Sequence, residues 1–302
     1  MRIGIIGIGD ICKKAYLPVI TLRNDIEIIL CTRNTETLNE VKKTYRLSSA
    51  VESIQDLINS KIDVAFVHSS TESHFEICKT LIENKIHVYV DKPLCYTYAE
   101  VLELYNLSKN NNVKLMIGFN RRFCPKVREL HALGHADIII MEKNRVNLPG
   151  DIRTFIFDDF IHVIDTVRFL MMDDYTNFTV DFKTDKNLLN NVVLKLSNST
   201  TTSLAIMNRD NGVTEETIEY MASGKKALVT SLVETTSYCN NNKSITSFGD
   251  WDNTLYKRGF VSIINEFLDA IKNNSKLPID LEDSLKTHKL CEDIVNYIVS
   301  NS

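Results

Sequence analysis

Arg2-Ile3-Gly4-Ile5-Ile6-Gly7-Ile8-Gly9-Asp10-Ile11-Cys12 is the stretch on which the fold turns. Ile3 to Ile6 have the composition of a strand buried on both faces, and they run directly into two glycines spaced G-x-G. An amphipathic pattern over residues 11–23 follows. Two of the three glycines of G-x-G-x-x-G thus lie between a strand and a helix, the context that a dinucleotide-binding loop requires. Gly7 permits the tight turn, and Gly9 lets the backbone approach a pyrophosphate at the helix N-terminus, with Asp10 and Ile11 continuing the loop. Cys12 stands at the third glycine position, where a small thiol fits between helix and strand. Pro18 predicts a bend in the helix.

Outward from this loop, short apolar runs alternate with helical patterns up to about residue 120. Ile26–Leu30, Val64–Val67, Val88–Val90 and Leu115–Ile117 read as strands, and residues 35–45, 73–84 and 98–110 as helices. This is the rhythm of a parallel sheet with helices on both faces. After residue 135 strand-like runs follow one another: Ala136–Met141, Asn177–Phe182, Asn191–Leu196, Thr201–Met207, Thr217–Met221 and Ala227–Val229. One helix, about Asp158–Met171, interrupts them, and helices near 260–272 and 281–299 close the chain; Asn240–Lys243 reads as a loop tip. The expected class is α/β: an N-terminal Rossmann dinucleotide-binding domain over 1–120, and over 121–302 a C-terminal α+β domain on a largely antiparallel sheet, for substrate and oligomerisation. The final helices are candidates to pack back on the first domain.

Composition agrees. A chain of 302 residues, 44% hydrophobic and 25% charged with 10 Gly and 5 Pro, is a folded chain long enough for two domains. With 35 Lys and Arg against 39 Asp and Glu the net charge is -4, and no basic cluster favours nucleic acid. No stretch approaches the roughly twenty apolar residues of a membrane helix, and the start is too glycine-broken for a signal peptide. The seven cysteines are scattered without a C-x-x-C pair, which predicts free thiols and a cytoplasmic protein. His131 and His135 mimic a metal pair, but Gly134 weakens that helix and no third ligand type is near, so no metal is expected.

The second strand ends Leu30-Cys31-Thr32-Arg33-Asn34, with no carboxylate before Glu36 to bond ribose hydroxyls. Thr32 followed by Arg33 suits a 2′-phosphate and favours NADP over NAD; Arg33 as a solvated loop residue of an NAD enzyme is the other reading.

Three further segments carry a family resemblance: Val67-His68-Ser69-Ser70-Thr71-Glu72-Ser73-His74, Val90-Asp91-Lys92-Pro93-Leu94 and Gly118-Phe119-Asn120-Arg121-Arg122-Phe123, each after a strand. Together they resemble the Gfo/Idh/MocA oxidoreductases, and Gly7-Ile8-Gly9-Asp10-Ile11 with Phe66-Val67-His68-Ser69-Ser70-Thr71 is similar to the MviM-like branch. The resemblance extends through Glu216–Tyr220, Gly224–Leu228 and Phe260–Ile271. It implies that Lys92 reaches the substrate beside the nicotinamide, that Asp91 (where the family has Glu) and Pro93 flank it at the cofactor, and that Ser69, Ser70 and His74 lie beside the cofactor. It further implies a catalytic pair, Asp158 and His162, with Asp158 orienting the imidazole. Four residues place the two on one helix face, and Phe160 replaces a small residue between them. Asn120 and Arg122 are candidate substrate ligands.

The function so implied is an NAD(P)-dependent oxidoreductase acting on CH–OH groups of a sugar, cyclitol or related polyol, as a homodimer or higher homo-oligomer. A non-catalytic nucleotide-binding or regulatory protein on the same scaffold is the alternative.

Overall fold

In the computed structural model, which describes residues 1–302, the apolar runs of the first part form β1 (Arg2–Ile6), β2 (Glu27–Cys31), β3 (Ser49–Val51), β4 (Val64–Val67), β5 (His87–Val90) and β6 (Leu115–Ile117). All pair in parallel, in the order β3-β2-β1-β4-β5-β6. β3 and the short helix Ile54–Asn59 were not anticipated. β3 is three half-buried residues, Ser-Ala-Val, and carries no apolar run to read. The helices Thr35–Tyr45, Ile54–Asn59 and Tyr98–Asn111 begin at polar caps: Asn34, Ser53 and Thr97 each accept a backbone N–H.

The first helix is not regular. A π-helical turn, Cys12–Tyr16, precedes the α-helical Leu17–Ile20, and Pro18 sits in the first turn of the latter, where its missing donor costs nothing.

The later strands are β7 (Ile138–Asn144), β8 (Asn177–Asp185), β9 (Leu188–Ser197), β10 (Thr202–Asn208), β11 (Glu215–Ala222), β12 (Lys225–Thr230), β13 (Glu234–Cys239) and β14 (Asn242–Ser247). They form one sheet, β14-β13-β12-β11-β7-β10-β9-β8, antiparallel except for the β7–β10 pair. β13 and β14 escaped the sequence reading because every residue of β14 is exposed and polar residues dominate both. The expected loop tip is narrower than Asn240–Lys243: Asn240 and Asn241, at φ 49° and 63°, make the two-residue turn, and Asn242 already pairs with Cys239.

Side chains alternate across this sheet. Ile139, Met141, Val192, Leu194, Ala205, Met207, Ile218 and Tyr220 are buried on the face that the helix Ile161–Met171 covers. On the other face Ile140, Val193, Leu204 and Ile206 are only half-buried, with Ile140 opposite Leu204 and Val193 opposite Ile206.

Contacts divide the chain into two units, Met1–Gly118 with Phe260–Lys286, and Phe119–Gly259 with Thr287–Ser302. Within the first, the helix Phe260–Lys272 buries Ile263, Ile264, Phe267 and Leu268; Phe267 meets the rings of Phe66 and Tyr89 edge-on, 5.5 and 5.3 Å away. No helix is long and apolar enough to cross a membrane.

Candidate active site

The register of the parallel sheet aligns Cys31, Ile6, Val67, Val90 and Ile117 across five strands. The residues that follow them, Thr32, Gly7, His68, Asp91 and Gly118, therefore form one row at the carboxyl edge. The ladder continues into it: His68 N–H donates to Ile6 O (2.8 Å), Asp91 N–H to Val67 O (3.1 Å) and Gly118 N–H to Val90 O (2.8 Å). Strand order reverses direction between β1 and β4, which is where ligands of open α/β sheets bind.

At that point the two loop glycines do different work. Gly7 has φ +82°, and a Cβ on it would lie 2.4 Å from Ser69 N, so the chain itself requires glycine. A Cβ on Gly9 would meet nothing within 4 Å, leaving open space on the side where a pyrophosphate would approach. Asp10 and Ile11 are exposed, and Asp10 pairs with Lys14 at 2.6 Å, whose hydrogen bond and charge lower its pKa. Cys12 is fully buried, and burial, then the charge of Asp91, pushes its thiol well up. Thr32 Oγ1 accepts from Asn34 N–H at 3.3 Å, and Arg33 is exposed.

Asp91 is drawn inward. One carboxylate oxygen accepts from the Tyr16 hydroxyl at 2.6 Å, the other lies 2.9 Å from His68 Nδ1, and the Tyr16 and Tyr89 hydroxyls are 3.0 Å apart. Burial favours protonation of Asp91, yet the charge and hydrogen bond of His68 and the Tyr16 hydroxyl outweigh it and hold the carboxyl below its ordinary value. Burial, then the Asp91 charge, keeps Tyr16 protonated far above its usual range. The π turn thus delivers the last of its residues, Tyr16, to the end of β5. Lys92 follows Asp91, half-buried, and is joined to the buried Pro93 by a cis peptide bond.

His74 is buried with Nδ1 3.0 Å from Pro93 O and Nε2 3.1 Å from Ser69 O, so it ties the helix Thr71–Glu83 to both loops. Ser69 accepts from the Ser73 hydroxyl at 2.7 Å, while Ser70, at the N-cap position, makes no side-chain cap bond.

In the second unit the helix starts earlier than expected and is composite: Ile152–Thr154, a π turn over Phe155–Phe160, then α-helix over Ile161–Met171. Phe155, Ile156, Phe157 and Phe160 are wholly buried, which gives the bulky Phe160 a place in the core and leaves Asp158, Asp159 and His162 half-buried. π turns recur at functional positions because they re-aim side chains that a regular helix would space evenly.

Both candidate substrate ligands are engaged inside this unit. Asn120 Nδ2 donates to Arg258 O at 2.8 Å. Arg122 grips Asp165 through two bonds of 2.8 and 2.5 Å, and Thr287 adds a third contact to Asp165 at 3.1 Å. Removing one partner of such a buried pair costs about 3–5 kcal/mol, since the other charge is left uncompensated.

Several charged residues here had no sequence signal. Asp159, beside the expected Asp158, receives Lys143 and a two-bond fork from Arg145 at 3.0 and 3.1 Å. Arg121 forks onto Glu216 at 2.5 and 3.0 Å. Lys143 is brought down to about 7, by burial first and the Arg121 charge next, against the pull of Asp159. Only polar residues at inward-facing strand positions, such as Lys143 two residues after Met141, could have announced this cluster.

A glycine loop at the switch point of a parallel sheet, with Lys92-Pro93 at the carboxyl end of a nearby strand, defines a dinucleotide-binding fold of the Rossmann class. Residues 1–119 match the Gfo/Idh/MocA oxidoreductase family, NAD-binding Rossmann fold, and residues 127–239 match the YceM-like C-terminal domain. The chain belongs to the Gfo/Idh/MocA oxidoreductase family. It is 31% identical to YceM of Salmonella typhimurium, over 91% of each chain. It is 28% identical to a myo-inositol 2-dehydrogenase of Thermotoga maritima, covering 60% of this chain and 58% of that one. The crystal structure of a Clostridium difficile dehydrogenase, MviM, superposes with a TM-score of 0.93 at 36% identity, covering 98% of this chain and 99% of that one.

Proposed function

We propose that this protein is an NADP-preferring, cytoplasmic dehydrogenase or reductase acting on a CH–OH group of a sugar, cyclitol or related polyol. The supporting observation is the carboxyl edge of the first sheet, where open space over Gly9 and the Lys92-Pro93 turn lie on the same row of strand ends. The inositol dehydrogenase among its relatives supports a polyol. The nicotinamide supplies the hydride acceptor or donor. Gly7, Gly9, Asp10 and Ile11 hold the pyrophosphate side, with Ser69, Ser70, His74, Asp91 and Pro93 shaping the rest of the cofactor site. Lys92 is assigned the negative charge that develops on the reacting oxygen, and His162 its proton, with Asp158 orienting the imidazole. Asn120 and Arg122, in this reading, position the substrate through the second-unit framework.

Cofactor choice rests on Thr32 and Arg33. With no carboxylate to repel a 2′-phosphate and an exposed guanidinium to pair with it, NADPH should bind more tightly than NADH by about 1.5–3 kcal/mol, one charge-assisted contact. Fluorescence titration of both cofactors, followed by a panel of polyols and sugars monitored for NADPH turnover, tests the reading. Equal affinities, or an NADH preference unchanged in Arg33→Ala, would overturn the NADP assignment. Absence of turnover across the panel would favour a non-catalytic binder, a reading that the inward commitment of both Asp91 oxygens supports.

A homo-oligomer, most simply a dimer through the strands between about 136 and 230, completes the proposal. Ile140, Val193, Leu204 and Ile206 lie on the face opposite the covering helix, and an apolar strip of this kind is a liability in a monomer. Light scattering at micromolar concentration should give at least twice the chain mass; a monomer mass would refute it.

A further inference from the structure

The helix-covered face of the second sheet is apolar along most of its length and turns polar at one end. Lys143 on β7 and Glu216 on β11 take inward positions there, Asn190 occupies β9 beside a register shift in its pairing with β8, and Arg145 and Arg209 lie just beyond β7 and β10. Most of these groups neutralise one another, Lys143 and Arg145 on Asp159, and Arg121 on Glu216. Arg209 does not take part. Its Nε is buried with no hydrogen-bond partner, its guanidinium lies over the Phe155 ring at 5.0 Å, and Asp158 and Asp159 act on it only through space.

A second orphan lies next to it. Asn190 Oδ1 is buried and unpartnered, while Asn190 O accepts the Arg209 backbone N–H at 2.8 Å. Four buried side-chain atoms of the chain lack a partner, and two of them, a cationic donor and a neutral acceptor, fall on this one backbone pair. Leaving such groups unmatched costs about 1–3 kcal/mol each, more for a charged one, so a donor and an acceptor left open side by side mark a spot where a bound group would gain both bonds. Phe155, which carries the guanidinium, belongs to the same π turn as Asp158.

We propose that Arg209 and Asn190 form a substrate subsite for an anionic polyol: the guanidinium takes a carboxylate or phosphate group, and the Asn190 oxygen accepts from a neighbouring hydroxyl. A guanidinium presents its donors in a fork that matches either oxyanion, and an amide oxygen matches a sugar hydroxyl. Asp159 does not compete, because Lys143 and Arg145 already hold its carboxylate. The proposal rests on the dehydrogenase reading for its substrate class and deepens it from a polyol to a sugar acid or sugar phosphate.

Titration calorimetry on the full chain with NADPH present, using gluconate, glucose 6-phosphate, glucose and myo-inositol as probes, tests it in wild type, Arg209→Gln, Arg209→Lys and Asn190→Asp. At least one anionic probe should bind more tightly than either neutral one. Its affinity should fall at least tenfold in Arg209→Gln, recover in part in Arg209→Lys, and be lost in Asn190→Asp, which sets a carboxylate beside the guanidinium; NADPH affinity should stay unchanged throughout. The stronger of gluconate and glucose 6-phosphate identifies the oxyanion. If a probe is also turned over, its KM should rise in Arg209→Gln with kcat within a few-fold. Anions that do not bind wild type, or that bind Arg209→Gln and Asn190→Asp as tightly, overturn the subsite. Turnover of neutral polyols without anion binding overturns it while the dehydrogenase reading stands. Arg209-dependent anion binding without turnover of any probe upholds the subsite and favours the non-catalytic reading over the dehydrogenase one.

Discussion

Lys92→Ala and His162→Ala are each expected to reduce turnover by about 10²–10⁴-fold, the usual worth of a positioned proton-transfer or charge-stabilising group, while dinucleotide affinity stays within a few-fold of wild type. The asymmetry follows from their assigned work. In the proposed reading Lys92 stabilises an alkoxide and His162 exchanges its proton, and neither is assigned to the adenosine half of the cofactor. Both side chains are half-buried, and neither belongs to the buried Arg122–Asp165 or Arg121–Glu216 pairs, so the substitutions should spare the fold. Steady-state kinetics with a substrate from the polyol panel, beside cofactor titration by fluorescence, separates the two effects. An activity that survives both changes would remove these residues from the chemistry and leave the family membership untouched.

Gly9→Val should abolish cofactor binding in a protein that still folds. The new side chain starts from a Cβ position with no neighbour within 4 Å and avoids the left-handed region, so it costs the chain little while filling the space proposed for the pyrophosphate. In wild type, cofactor at a hundredfold excess over Kd stabilises the fold by about 2.7 kcal/mol, visible as a rise in Tm. In Gly9→Val that rise should vanish with the unliganded Tm nearly unchanged. Gly7→Val is the contrasting control. With φ +82° and Ser69 N at 2.4 Å from the added Cβ, it should lower the unliganded Tm itself. A Gly9→Val protein stabilised as strongly as wild type would show that the loop is only a turn.

The contrast between these glycines marks where reading from sequence stopped. G-x-G after an apolar run is local stereochemistry and was legible, but that Ser69 crowds Gly7 while the chain leaves open space at Gly9 is decided only in the folded chain, with β1 and β4 side by side. The pairs Asp91 with Tyr16 and His68, and Arg122 with Asp165, join residues far apart in the chain and leave no pattern in it. Asp158 and Asp159 are equivalent as letters; the π turn and the inward register of Lys143 give Asp159 to the ion pairs. β14 was missed for a different reason. As an exposed edge strand of Asn, Lys, Ser and Thr around a single, exposed Ile245 it buries nothing, so its pairing with β13 shows no apolar alternation.

By itself the sequence determined the parallel α/β half, the antiparallel half and the glycine loop, because strand burial, helical periodicity and turn stereochemistry act over a few residues, and its motifs carried the family resemblance. Only the tertiary structure decided which charges neutralise one another and that Arg209 and Asn190 remain unmatched. Electrostatic pairing and burial are sums over neighbours from distant strands, and those neighbours exist only once the register of the second sheet is set.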